Sequence, residues 1–203
     1  MGTEPIVRRA GTSDREALMK AFRKSTPDEA VTAWIMRDYS MEEFLEEWAP
    51  QIIDRGLRED EVWVAGADGE IWAVSIWQKL TSADRLLADA VTARERAQRA
   101  PELRPLQRSA YVTELLAREH PRRFPHSYLE LISTVPEYRG RGAGAAILTE
   151  RTRQLRAAGL PAYLEASTER SSRLYTRQGF VRTGETYTLP EEGPTLIPMW
   201  FEA

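Results

Sequence analysis

Val135-Pro136-Glu137-Tyr138-Arg139-Gly140-Arg141-Gly142-Ala143-Gly144 runs without a break into Ala145-Ala146-Ile147-Leu148-Thr149-Glu150-Arg151. Upstream, Tyr128 to Thr134 is rich in aromatic and β-branched residues and predicts a strand, with Leu129 and Leu131 as its apolar positions. Downstream, Ala145, Leu148, Thr152 and Leu155 recur at helical spacing up to a stop at Gly159 and Pro161. A glycine-rich turn between a strand and a helix lets an anion approach the backbone, and the free amides of the helix's first turn favour phosphate there. The glycines do not fall as G-x-G-x-x-G, and no Lys-Ser/Thr follows, so neither the dinucleotide fingerprint nor a Walker A loop is met. A purely structural tight turn is the alternative reading of this stretch alone.

Working back toward the start, Ile6 to Arg9 predicts a short strand, and Ser13-Asp14-Arg15-Glu16 has the spacing of a capping box opening a helix with Ala17, Leu18, Ala21 and Phe22 inward. Thr26-Pro27-Asp28-Glu29 predicts a second helix start, with Ala30, Val31, Trp34 and Ile35 on one face. Ser40 predicts a third, running through Phe44, Leu45 and Trp48 to an interruption at Pro50 and an end at Gly56. Val62–Ala67 and Ile71–Trp77 flank Asp68-Gly69, a strong hairpin signal. From Thr81 to about His120 the pattern is helical, with stripes Leu86, Leu87, Ala90, Val91 and Leu103, Leu106, Ala110, Thr113, Leu116 either side of Pro101 and Pro105. Arg118 to Pro125 reads as a basic, solvated connection.

Beyond the glycine turn and its helix, Ala162–Ser167 predicts a strand and Arg170–Gln178 a short helix closed by Gly179. Phe180–Leu189 and Thr195–Glu202 predict a last strand pair around Pro190-Glu191-Glu192-Gly193-Pro194. The order is that of an α+β or mixed α/β domain: a mostly antiparallel sheet holding one strand–helix–strand crossover. The expectation is a single domain over residues 1–203, with a helical insert at about 81–120.

The chain has 203 residues, a formal net charge of -3, no cysteine and two histidines, His120 and His126. The charge gives no general pull toward nucleic acid or anionic membrane. Without cysteine there is no disulfide, thiolate nucleophile or thiolate metal site, and no metal is expected. The segment from Met1 to Ile6 lacks the pattern of a signal peptide, Gly2 lacks a downstream Ser/Thr for acylation, and no run approaches a membrane span. A cytoplasmic location is the expectation. Lysine is confined to Lys20, Lys24 and Lys79, and asparagine is absent, a bias of GC-rich bacterial genomes.

Two motifs in register carry a resemblance. Arg139, Gly142 and Gly144 meet the Q/R-x-x-G-x-G/A signature of the GNAT N-acetyltransferases, and Leu174, Tyr175, Gly179 and Phe180 meet that family's L-Y-x-x-x-G-F ending. The hairpin, the insert, the Tyr163–Ser167 strand and the Glu192-Gly193-Pro194 bend look most like its puromycin N-acetyltransferase branch. The resemblance implies the acyltransferase fold with a splayed parallel strand pair, and acetyl-CoA as acyl donor. The amides of Arg139, Gly140, Arg141, Gly142, Ala143, Gly144 and Ala145 would hold the pyrophosphate, and the backbone of Ile132, Ser133 and Thr134 the pantetheine arm. A backbone N–H near Ile132 would polarise the thioester carbonyl.

An amine attacking directly needs a base, and the leaving thiolate needs an acid. Tyr175 stands where the family places the acid; packing against the sheet is its alternative role. Glu165, inside an otherwise apolar strand, is the first candidate base, Glu130 on the neighbouring strand the second and His126 a distant third. A solvent-facing ion pair is the alternative for both glutamates. Two positions depart from the family: Thr168 and Ser171 stand where relatives carry a CoA-contacting asparagine, and Tyr128 where some carry a catalytic glutamate.

Acceptor residues are sought among Trp34, Asp38, Tyr39, Glu42, Glu43, Glu46, Trp48, Trp72 and Trp77, where carboxylates and aromatics suit a cationic amine; core packing and a solvated face are the competing readings. The expected partner is a small-molecule amine acceptor, an antibiotic or natural product among the candidates, with the protein a monomer or homodimer. A protein N-acetyltransferase, a non-catalytic CoA-binding regulator and a nucleotide switch are the rival readings.

Overall fold

A computed structural model of the chain describes residues 4–203; Met1, Gly2 and Thr3, read above for a leader or acylation signal, lie outside them. The strands are β1 (Ile6–Arg9), β2 (Glu61–Ala67), β3 (Glu70–Leu80), β4 (His126–Thr134), β5 (Ala162–Ala166), β6 (Val181–Arg182), β7 (Tyr187–Thr188) and β8 (Thr195–Phe201). The helices are α1 (Arg15–Ser25), α2 (Ala30–Ile35), α3 (Met41–Glu47), α4 (Ala49–Glu59), α5 (Asp84–Arg99), α6 (Arg104–Glu119), α7 (Ala143–Ala158) and α8 (Glu169–Arg177). The sheet runs β1-β2-β3-β4-β5-β8-β6, with β7 also on β8, and β4–β5 is its parallel pair. This is the expected mixed α/β architecture.

Period-two burial sorts the strands between two helix layers. On β2, Val62 and Val64 meet Leu18 and Phe22 of α1 and Ile53 of α4, while Ala65 and Ala67 meet Ala143 and Ile147 of α7. Nearer the C-terminus, Leu148 and Leu155 of α7 and Tyr175 of α8 cover Trp77, Leu129 and Leu164. On the other face α5 and α6 lay Leu86, Ala90 and Ala117 on Tyr128, Tyr163 and Trp200. Each large apolar side chain so buried contributes about 1.5–3 kcal/mol of transfer free energy. The hairpin closes at Asp68 (φ 54°) and Gly69 (φ 78°), the two positive φ values that a two-residue turn matched to strand twist requires.

Several element ends differ from expectation for local reasons. Ser13 does not cap α1: the chain makes a 3-10 turn at Thr12–Asp14, and the Asp14 carboxylate takes the Gly11 amide (2.9 Å) and the Arg8 guanidinium (2.6 and 2.7 Å). Glu29, not Thr26, caps α2 by accepting from the Thr32 amide at 2.9 Å. Ser40 caps α3 as expected. Gly56 does not end α4, which runs to Glu59; a Cβ there would sit 3.3 Å from both Ile76 and Val62, so this glycine lets the helix approach the sheet.

In the helical pair, Leu87 and Val91 are half-exposed, and of its expected stripe α6 buries Ala110, together with Pro105, Arg108, Val112, Leu115 and Ala117, which were not expected. The reason is that α6 packs on α2 and β8 as well as on α5, so its inward face is turned toward Trp34 and Leu196. Buried Arg108 fastens that corner, donating to Glu191 (2.7 and 2.9 Å) and to the Arg37 carbonyl (2.7 Å). Arg118 and Glu119 belong to α6, not to a loop. The expected strand Phe180–Leu189 is split into β6 and β7, both paired to β8.

Candidate active site

The parallel pair β4–β5 is joined only at Ser127–Ala162 and Tyr128–Tyr163. Past Tyr128, β5 ladders to β8 and β4 to β3, so the facing edges of Leu129–Thr134 and Leu164–Ala166 have no strand partner and the sheet opens. The β3–β4 register slips at the same point: Leu131 opposes Ile76 and Leu129 opposes Trp77, leaving Glu130 as the extra residue of a bulge. Tyr128 and Glu130, two residues apart, both line the cavity at this split.

Three cavities meet at this split. On the α7 side lies one of about 590 Å³, lined by Ile132–Thr134, the Arg139–Ala145 turn and the Thr168–Arg177 segment. In the split itself lies one of about 250 Å³, which holds Glu29, Tyr128, Glu130, Glu165, Ser171 and Tyr175. Under α5 and α6 lies a hollow of about 610 Å³. Glu29, Ile132 and Ser171 are shared by the first two and Glu130 by the last two, so the clefts adjoin one another across the sheet.

The α7 end is built for an anion. Gly140 (φ 79°) and Gly142 (φ 82°) hold backbone conformations costly to side chains, and Gly142 serves as N-cap of the 16-residue α7 without any side-chain cap. The first-turn amides therefore face the cavity with the positive end of the helix dipole. Arg170 and Arg177 line the same cavity. Sequence reading missed both; their seven-residue spacing on α8, two turns apart, is the signal that they share a face. Arg139 is partly engaged, donating to Asp28 at 2.7 Å, and Arg141 lies over Trp72 and Tyr138. Thr168 and Ser171 also line the cavity, but their hydroxyls bond each other and close the cap of α8: Thr168 Oγ1 accepts the Ser171 amide at 3.0 Å. Ser133 pairs its hydroxyl with that of Ser25 at 2.8 Å.

In the split, Glu165 is half-buried and its Oε2 accepts the Tyr128 hydroxyl at 2.9 Å. Burial lifts its pKa to about 7, against the opposing pull of hydrogen bonds from Tyr128 and Tyr163. Glu130 is also raised by burial, moderated by a Gln78 hydrogen bond, and it keeps access to solvent. Buried Tyr175 makes no side-chain hydrogen bond among the described residues, and desolvation raises its pKa. The cavity in the split thus brings together Tyr175, Glu165 and Glu130 from three elements. His126 is elsewhere: fully buried, its Nε2 lies 2.9 Å from His120 Nε2 and its Nδ1 2.7 Å from the Arg123 carbonyl.

Of the aromatics proposed for the acceptor, Trp34 and Trp77 are core residues and Trp72 stacks on Tyr138 at 4.9 Å between ring centres. Tyr39 and Trp48 do line the α5–α6 hollow, joined by Glu47 rather than by Glu42, Glu43 or Glu46. Among the described residues no group of three or more metal-ligating side chains is gathered, and no helix is long and apolar enough to cross a membrane.

Residues 28–180 match the model of the acetyltransferase (GNAT) family. The fold is similar to that of a solved protein from Corynebacterium glutamicum ATCC 13032, "histone acetyltransferase HPA2 and related acetyltransferase", at 21% identity and TM-score 0.68, covering 99% of this chain and 98% of that one. It is similar to arylalkylamine N-acetyltransferase 2 from Aedes aegypti at 13% identity and TM-score 0.70, covering 98% and 99%. It is similar to a polyamine N-acetyltransferase from Drosophila melanogaster at 17% identity and TM-score 0.61, covering 98% and 100%.

Proposed function

The chain belongs to the acetyltransferase (GNAT) family, and from that premise we propose that it moves an acetyl group from acetyl-CoA to the primary amine of a small molecule by direct attack. The observation that carries this reading is the row of adjoining clefts from the uncapped end of α7, through the strand split with Tyr175 and Glu165, to the hollow under α5 and α6. Such a row suits two substrates entering from opposite faces of the sheet.

The residues fit the donor. The open turn at Gly140 and Gly142, the uncapped amides of α7 and the guanidinium groups of Arg170 and Arg177 match a pyrophosphate. The unpartnered edge of β4 from Ile132 to Thr134 matches an extended amide-bearing arm, as an added strand would. Acetyl-CoA supplies a thioester carbonyl and a thiolate leaving group. A backbone amide beyond the bulge at Glu130 polarises the carbonyl. Glu165, with a pKa near 7, takes a proton from the acceptor at neutral pH, directly or through water, with Glu130 as second candidate. Tyr175, kept protonated by burial, donates to the departing sulfur.

A cavity of about 610 Å³ lies in the range of small-ligand sites, which favours a small amine over a protein chain. The polyamine and arylalkylamine N-acetyltransferases among its structural neighbours accord with that class. The hairpin, the α5–α6 insert and the Pro190–Pro194 bend support kinship with the puromycin N-acetyltransferase branch, and residues 1–203 are read as one domain. Incubation with acetyl-CoA and an amine panel, following free thiol, tests the proposal. Turnover on small amines is expected; tight CoA binding with no turnover on any amine overturns it.

A further inference from the structure

The hollow under α5 and α6 carries a charge pattern along its length. One face of α5 presents Asp89, Thr92, Ala93 and Arg96 to it, at helical spacing. Arg55, on the same wall, gives one Nη to both Asp89 oxygens (2.8 and 2.9 Å) and lies close enough to Glu130 to feel its charge. The Asp89 end therefore adjoins Glu130 and the strand split, and its cation is already neutralised. Arg96 lies seven residues on, roughly 10 Å further along the helix at 1.5 Å per residue. Arg99 is paired with Glu95, whereas Arg96 has no carboxylate partner among the described residues. Trp48 and Tyr39 line the hollow as well, offering an apolar surface.

We infer that the acceptor is an amine whose body also carries a carboxylate, the amine delivered to Glu130 and Glu165 and the carboxylate held by Arg96 at the far end of the hollow. This rests on the acetyltransferase reading and narrows it. An unpaired guanidinium facing a cavity matches a carboxylate in geometry and charge. A single uncommitted cation balances one negative charge, not the two of a phosphate monoester. The hollow also offers the Glu47 carboxylate, so its wall suits a body that carries both charges. A short peptide acid with a free primary amine is the simplest acceptor of that kind.

The test compares phenylalanyl-glycyl-glycine with its C-terminal amide as acceptors for acetyl-CoA. The acid is expected to exceed the amide in kcat/KM by about tenfold, and Arg96→Gln to bring that ratio to about one. Arg94→Gln, whose side chain pairs with Glu114 outside the hollow, keeps the wild-type ratio. An amide used as well as the acid, or a preference that survives Arg96→Gln, overturns the inference while leaving the transferase reading intact. If neither peptide nor any amine is turned over, the transferase reading fails by itself. Calorimetric binding of the two peptides to the CoA-loaded protein then decides the pocket: tighter binding of the acid supports it, and equal binding refutes it.

Discussion

The Tyr128 hydroxyl, from the last rung joining β4 to β5, donates at 2.9 Å to Glu165 Oε2, two residues past that rung on the opposite strand. Where some relatives are expected to carry a glutamate, this chain carries the donor that orients one. The first candidate for the base, Glu165, sits on β5 instead of β4, facing the same split.

This pair sets the pH profile. A base with pKa near 7 works when ionised, so kcat/KM rises with pH through a limb centred near 7. Glu165→Gln is expected to lower kcat by about 10²–10⁴-fold. Tyr128→Phe removes a hydrogen bond that favours the ionised form, moving the limb about one unit alkaline. A pH profile of the three proteins checks this; an unmoved limb in Tyr128→Phe shows that another group titrates.

Tyr175→Phe keeps the ring that packs beside Leu164 and Phe180 and removes only the hydroxyl. If that hydroxyl protonates the leaving sulfur, kcat falls by about 10²-fold or more while CoA affinity by calorimetry changes little. An unchanged kcat makes Tyr175 a packing residue.

Gly142→Ala places a side chain at φ 82° with nothing within 4 Å of the new Cβ, so the cost is backbone strain alone. About 1–2 kcal/mol is expected, seen as a melting temperature lower by about 2–8 °C. The same strain shifts the first-turn amides of α7, so KM for acetyl-CoA rises more than KM for the amine. Equal changes in both would detach this turn from the donor.

Burial acts in opposite directions on Glu165 and the histidine pair. Glu165 binds its proton more tightly folded than unfolded, so stability falls as pH rises from about 4.5 to about 7. Glu165→Gln is then expected to raise the melting temperature more at pH 8 than at pH 5. His120, depressed to about 3 chiefly by burial, and His126, lowered for the same reason, stay neutral when folded. The unfolded chain takes up their protons below about 6.5, so their contribution is lost as pH falls from 6.5 toward 3. Proton NMR of the imidazoles checks this: at pH 5 a neutral His120 ring is expected, and a charged one refutes it.

Local signals made much of this molecule legible. Asp68-Gly69 specified a hairpin because only such a pair adopts two successive positive φ values cheaply. The glycine turn specified an anion-binding helix start, and the Leu174–Phe180 ending fixed which ligand to expect there. Glu165 stood out as a charge in an apolar strand, and the family matched over residues 28–180 bears out the family resemblance that the two motifs carried. Nonlocal relationships stayed hidden. Nothing local marks Arg108 of α6 for burial under α2 and the Glu191 bend, and Trp34, Trp72 and Trp77 had the chemistry of a binding site but the volume of a core. The bulge at Glu130, the parting of β4 from β5, and the place of Arg96 on the α5–α6 hollow depend on packing between segments far apart in sequence. A side chain's chemistry is written in the chain, but the surface it faces is chosen by packing among segments that no local pattern records.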